Sequence, residues 1–196
     1  MPSRRAAGFA PCRRLYRVLG RRSGSHGGVL WPHTQKSCIA LMIIHHQDPD
    51  HPSLLQEILQ SYTEMPVVMV EEGGLKALPN TVYPKPPDYD CSILQGSLIL
   101  LEPVNASGTR MAIDIFFWHL VEDQDGKAVG IILSGMGSDG TLDIRALKQH
   151  MGMGMAMAQD PPTARFSSMP QSAIAASRMD YIALPNLRKR AEEAVK

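Results

Sequence analysis

Two short runs that are apolar at every position constrain this chain most: Ile39-Ala40-Leu41-Met42-Ile43-Ile44 and Ala128-Val129-Gly130-Ile131-Ile132-Leu133. A strand with one wet face alternates polar and apolar residues. A run without alternation predicts a strand buried on both faces, the habit of parallel sheets covered by helices. Between such runs the period changes. Leu54, Leu55, Ile58, Leu59 and Tyr62 recur at helical spacing, as do Ile113, Phe116, Phe117, Leu120 and Val121.

Further strands are predicted at Pro66–Val70, Thr81–Tyr83, Met153–Ala158 and Tyr181–Leu184. Helices are predicted at Thr141–His150, Gln171–Ser177 and, as a charged tail, Leu187–Lys196. Ser92-Ile93-Leu94 and Ser97–Leu101 flank Gln95-Gly96, the pattern of a β-hairpin. The expected class is therefore α/β: a doubly wound, mostly parallel sheet with helices on both faces and a small antiparallel hairpin.

Composition limits the function classes. The net charge of +1 conceals an uneven distribution. Residues 1–47 hold seven Arg, one Lys and no acid, leaving 12 basic and 19 acidic residues for the rest. Only Phe9 and Tyr16 stand among the arginines, fewer than a stacking platform would need, so nucleic acid is not the expected partner. The leader superficially resembles a transit peptide but lacks an apolar core for secretion. No apolar run nears the roughly 18 residues of a membrane span. Cys12, Cys38 and Cys91 are odd in number and widely spaced, which argues against a disulfide framework or a metal motif.

The central run leads into Leu133-Ser134-Gly135-Met136-Gly137-Ser138-Asp139-Gly140. Functional groups of open α/β sheets gather at the carboxyl ends of strands. Three glycines in six residues let the backbone turn tightly and approach a ligand. Amides near a helix start suit an oxyanion or a phosphate, although the P-loop lysine is missing. Asp139 reads in two ways on local physics, as the cap of the helix that follows or as the carboxylate that orients a histidine.

Ala128–Gly140 closely resembles the same region of the CheB-type protein-glutamate methylesterases. Collinear matches follow at Ala158-Gln159-Asp160-Pro161 and Met169-Pro170-Gln171-Ser172-Ala173-Ile174. Others precede it at His46-Gln47-Asp48-Pro49-Asp50-His51, Asn80-Thr81-Val82-Tyr83 and Ile113-Asp114-Ile115-Phe116-Phe117. The resemblance spans about residues 39–185. It implies a cytoplasmic serine hydrolase that removes methyl groups from glutamate methyl esters of chemotaxis receptors and deamidates receptor glutamines, without a cofactor. By position, His46 matches the general base, Asp139 the orienting carboxylate and the Met136 N–H the oxyanion donor.

The family's nucleophile turn, G-A-S-[AT]-G-G, is matched best by Ser23-Gly24-Ser25-His26-Gly27-Gly28, making Ser25 the candidate nucleophile. Ser23 replaces the opening glycine, and His26 replaces a small residue. Arg17–Arg22 makes a poor buried strand, because adjacent arginines point to both faces. Pro32 interrupts the helix that should follow. Residues 1–38 are accordingly expected to be a divergent segment, with disorder one reading of it, ahead of a domain at 39–196. Ser25 is either the nucleophile or a coincidental loop serine. In the second case the domain is inactive and retains receptor or partner binding.

Adjacent His45 and His46 would face opposite ways on a strand, and His51 adds no tetrahedral set, so no metal is expected. Met151, Met153, Met155 and Met157 alternate with small residues and read as strand packing. Gln171 stands where the family carries a basic residue. No receiver unit fits in 196 residues beside this domain, so a receiver or methyltransferase partner domain is expected elsewhere.

Overall fold

The computed structural model describes residues 15–21 (backbone only), 39–45, 54–102, 111–124, 128–141, 155–176 and 179–183. Strands β1 (Leu15–Arg21), β2 (Ile39–His45), β4 (Thr81–Pro84), β7 (Val129–Ile132), β8 (Met155–Gln159) and β9 (Tyr181–Ala183) form one sheet in the order β4-β2-β1-β7-β8-β9. Every neighbouring pair is parallel. Within this sheet the chain begins at the centre, builds outward through β2 to β4, then returns beside β1 as β7. The winding direction therefore reverses between β1 and β7, the position where open α/β sheets form their ligand crevice.

The centre of the sheet includes residues from the N-terminal segment. Leu15–Arg21 lies inside the segment read as divergent and is one of the two central strands, paired with β2 from Leu15↔Ile39 to Arg21↔His45 and with β7 from Arg17↔Val129 to Gly20↔Ile132. A boundary at residue 38 thus cuts through the sheet. Backbone pairing on both sides decides the matter here, and that is non-local information which a pair of arginines cannot veto.

The alternation of side chains along β2 divides the core into two layers. Ala40, Met42 and Ile44 face one layer together with Tyr83, Ile132, Ala156 and helices α2 (Ala112–Gln124) and α3 (Ser168–Ala176). Ile39, Leu41 and Ile43 face the other with Val82, Val129, Ile131, Met157 and helix α1 (Leu55–Ser61). Helices thus cover both faces, as expected. All five apolar residues predicted for the α2 stripe are buried. The α1 stripe is only half right: Leu55 and Leu59 are buried, whereas Leu54, Ile58 and Tyr62 are exposed.

A three-stranded antiparallel sheet, β3 (Leu75–Lys76), β6 (Ser97–Leu101) and β5 (Asp90–Leu94), packs against α2. Its hairpin turns at Gln95 and Gly96, both at positive φ (48° and 70°), as a two-residue turn that matches strand twist requires. The Asp123 carboxylate accepts the Gly96 N–H at 3.0 Å and ties the hairpin to α2. Pro66–Val70 is not a strand; it contributes one isolated bridge, Val67↔Val82. Helix α3 starts at Ser168, three residues before the expected Gln171. The predicted helices at 141–150 and 187–196 lie outside the described residues, apart from Thr141.

Candidate active site

The parallel strands β2, β1 and β7 bring their carboxyl ends to one edge. The register sets them level, with Arg21 opposite His45 and Gly20 opposite Ile132. Each strand leads into one sequence-predicted site residue. Ser25 follows β1 by four residues, His46 follows β2 directly, and Asp139 follows β7 by seven. Ser25 and His46 lie outside the described residues. Met136 and Asp139 are both in the loop that leaves β7.

That loop is fastened at several points. Ser134 is fully buried; its N–H donates to Gln159 Oε1 at 2.9 Å, and its Oγ accepts the Phe166 N–H at 3.0 Å. Gln159, also fully buried, donates through Nε2 to Thr163 O at 3.0 Å. The Gly135 N–H donates to Phe166 O at 3.0 Å, and Gly135 O accepts the Met169 N–H at 3.1 Å. Segment 159–169 therefore templates the loop. The Ala158–Pro161 motif hinted at this segment without showing that Gln159 is a structural acceptor and donor; sequence reading had given it no role.

Met136 stands out of this fastening. The residue is 49% exposed, and no described residue accepts a hydrogen bond from its N–H. An amide without a described partner between fastened neighbours suits an oxyanion donor, because it can bind developing charge without reorganising.

Asp139 is 8% exposed. Its Oδ2 accepts the Ile113 N–H at 3.2 Å, and its Oδ1 accepts the Asp114 N–H at 3.1 Å. Both amides belong to the first turn of α2, whose donors have no partner within their own helix. Asp139 thus caps a helix that begins 27 residues earlier. A carboxylate offers about four acceptor positions, so capping α2 and orienting an imidazole are compatible tasks for one side chain.

The one described cysteine is no rival nucleophile. Cys91 is buried, and its thiol is pushed up to about 12 by that burial, with Lys85 pulling it down and Asp90 adding to the rise. Thiolate chemistry at neutral pH is closed to it. Among the described residues no three His, Cys, Asp or Glu side chains group around a metal position. Cys12, Cys38 and His51 lie outside the described residues.

A family model described as CheB methylesterase matches residues 29–189, taking in His46, Met136 and Asp139 and starting just after Ser25. The chain is 38% identical over 126 residues to an uncharacterised 104.1 kDa protein of Rhodobacter capsulatus, covering 64% of this chain and 13% of that protein. It is 29% identical over 138 residues to protein-glutamate methylesterase/protein-glutamine glutaminase 4 of Burkholderia thailandensis, covering 69% and 39%. The chain thus spans well under two thirds of these relatives. The CheB methylesterase catalytic domain of Thermotoga maritima superposes with a TM-score of 0.76 over 92% of this chain and 96% of that one. At 23% identity this is a likeness of fold.

Proposed function

We propose that this chain, which belongs to the CheB methylesterase family, hydrolyses glutamate methyl esters on chemotaxis receptors and deamidates glutamines on the same receptors. The observation that carries the reading is the strand order. Ser25, His46 and Asp139 follow three adjacent parallel strands whose carboxyl ends share the edge at which the winding reverses. Adjacent strands lie about 4.8 Å apart. Four extended residues reach about 14 Å, so the chain from Arg21 to Ser25 can span the crevice.

In this reading the His46 imidazole takes the proton of the Ser25 hydroxyl as Oγ attacks the ester carbonyl. The Met136 N–H receives the oxyanion, and Asp139 fixes the imidazole tautomer while gripping α2. Collapse of the tetrahedral intermediate expels methoxide, which takes the proton from His46 and leaves as methanol. Water, deprotonated by the same imidazole, then cleaves the acyl-enzyme; the imidazole returns that proton to Ser25, and the freed glutamic acid gives its remaining proton to solvent to become the carboxylate. The relatives named methylesterase/glutaminase support both substrates, since an amide passes through the same intermediate. No helix among the described residues is long and apolar enough to cross a membrane. The reading assigns the reaction to the cytoplasm, with methyl-accepting receptors as partners. Regulation falls to a receiver or methyltransferase domain outside these 196 residues.

Methanol release from methylated receptor tests the proposal. Wild type should be active, and Ser25→Ala and His46→Ala should each lose about a thousand-fold or more in kcat. Undiminished release by Ser25→Ala would remove Ser25 as nucleophile. An inactive wild type would leave the chain a binding domain.

A further inference from the structure

We infer that Ser168 is a positioning residue for the oxyanion donor, an assignment that rests on the hydrolase reading above. The Ser168 hydroxyl touches both sides of Met136. It donates to Gly135 O at 3.3 Å and accepts the Gly137 N–H at 3.2 Å.

The significance comes from peptide planarity. The Met136 N–H shares one rigid plane with Gly135 C=O and points the opposite way across it. Whatever fixes the direction of Gly135 O therefore fixes the direction of the Met136 N–H. Two donors hold that oxygen, the Ser168 hydroxyl and the Met169 N–H at 3.1 Å. Both come from the first turn of α3, so the Met136 N–H is directed away from α3.

The plane on the other side of Met136 carries the Gly137 N–H, and this also ends on the Ser168 Oγ. One hydroxyl thus restrains both torsions about the Met136 Cα. A carbonyl that accepts two hydrogen bonds also polarises its own peptide and strengthens the N–H as a donor. Ser168 meets neither substrate nor nucleophile in this account; it acts through Met136.

Its effect should fall on the transition state, because the oxyanion exists only there. In Ser168→Ala the Met169 N–H still holds Gly135 O, so the fold persists while the donor plane loosens. Methanol release by Ser168→Ala should show kcat lowered about ten-fold with KM within about two-fold of wild type. Ser168→Thr, which keeps the hydroxyl, should return kcat to within about three-fold of wild type. Thermal unfolding of each variant should match wild type, which separates positioning from loss of fold. A Ser168→Ala kcat within about two-fold of wild type overturns the inference while leaving the hydrolase reading intact. A loss that Thr does not restore, or one that tracks a fall in melting temperature, overturns it as well. An inactive wild type overturns the hydrolase reading and this inference with it.

Discussion

Gly140 is a position where a single added methyl group should do great harm. Its φ is +82°, and an ideal Cβ would lie 2.7 Å from Ile113 Cγ2 and 2.7 Å from Ile132 Cδ1. Both isoleucines are fully buried, one in the first turn of α2 and the other in β7. Ordinary carbon contacts are about 3.7 Å, so Gly140→Ala must part helix from strand by roughly an ångström or drive both isoleucines off their rotamers. The left-handed backbone costs an alanine about 1 kcal/mol, and overpacking a close-packed core adds about 1–3 kcal/mol. The expected loss is about 2–4 kcal/mol, a large share of the 5–15 kcal/mol typical of a domain. The displacement also moves Ile113, whose N–H reaches Asp139 Oδ2 at 3.2 Å, so kcat should fall with stability. Gly73→Ala supplies the control: φ is +94° with nothing within 4 Å of the Cβ, so only the backbone cost of about 1 kcal/mol applies. Urea unfolding of the two variants reads the difference. Equal costs, or a Gly140→Ala loss below about 1 kcal/mol, would refute the steric reasoning.

Lys85 is 3% exposed, and its ammonium donates to Pro86 O and Tyr89 O at 2.7 Å and to Pro87 O at 3.4 Å. Lys85→Met should cost about 2 kcal/mol by urea unfolding, because carbonyls stripped of a charged donor outweigh the relief of a buried cation. Cys91 should resist iodoacetamide at pH 8 in the folded protein and react in urea, as read by peptide mass mapping. Its folded thiol titrates near 12 against an ordinary value of 9.0, so its contribution to stability is complete below pH 9 and declines as the pH rises toward 12. Wild type should therefore lose more stability across that window than Cys91→Ala, and equal losses would refute the assignment.

Features governed by local pattern were legible in the sequence. The hairpin about Gln95-Gly96, the α2 stripe and the β2 and β7 strands each follow from a short-range period or a turn requirement. What was not legible depends on distant partners. β1 carries Arg17 and Arg21 and looks unsuited to a sheet centre, but its place is set by hydrogen bonds to β2 and β7. The apolar spacing of α1 does not tell which of its faces the sheet covers, so Leu54, Ile58 and Tyr62 were misjudged. The site was legible to the extent that Met136 and Asp139 belong to one short motif. The partners of that motif, Ile113, Gln159 and Ser168, lie 23 to 32 residues from Met136 and carry no local signal.

The two helices on one face of the sheet give that motif its physical sense. α2 and α3 pack into the same core layer, and the first turn of each meets the loop between them. Helix starts present unpaired amides and the positive end of a dipole, which together draw negative charge. The loop answers each start with an acceptor of its own: the Asp139 carboxylate takes two amides of α2, and Gly135 O takes the Met169 N–H of α3. Those amides are thereby engaged in holding the loop and are not the ones that meet a ligand. The Met136 N–H differs, with no acceptor among the described residues while its neighbours are fastened. A nascent oxyanion beside it would bond to one fixed donor, which stabilises charge without requiring the backbone to move.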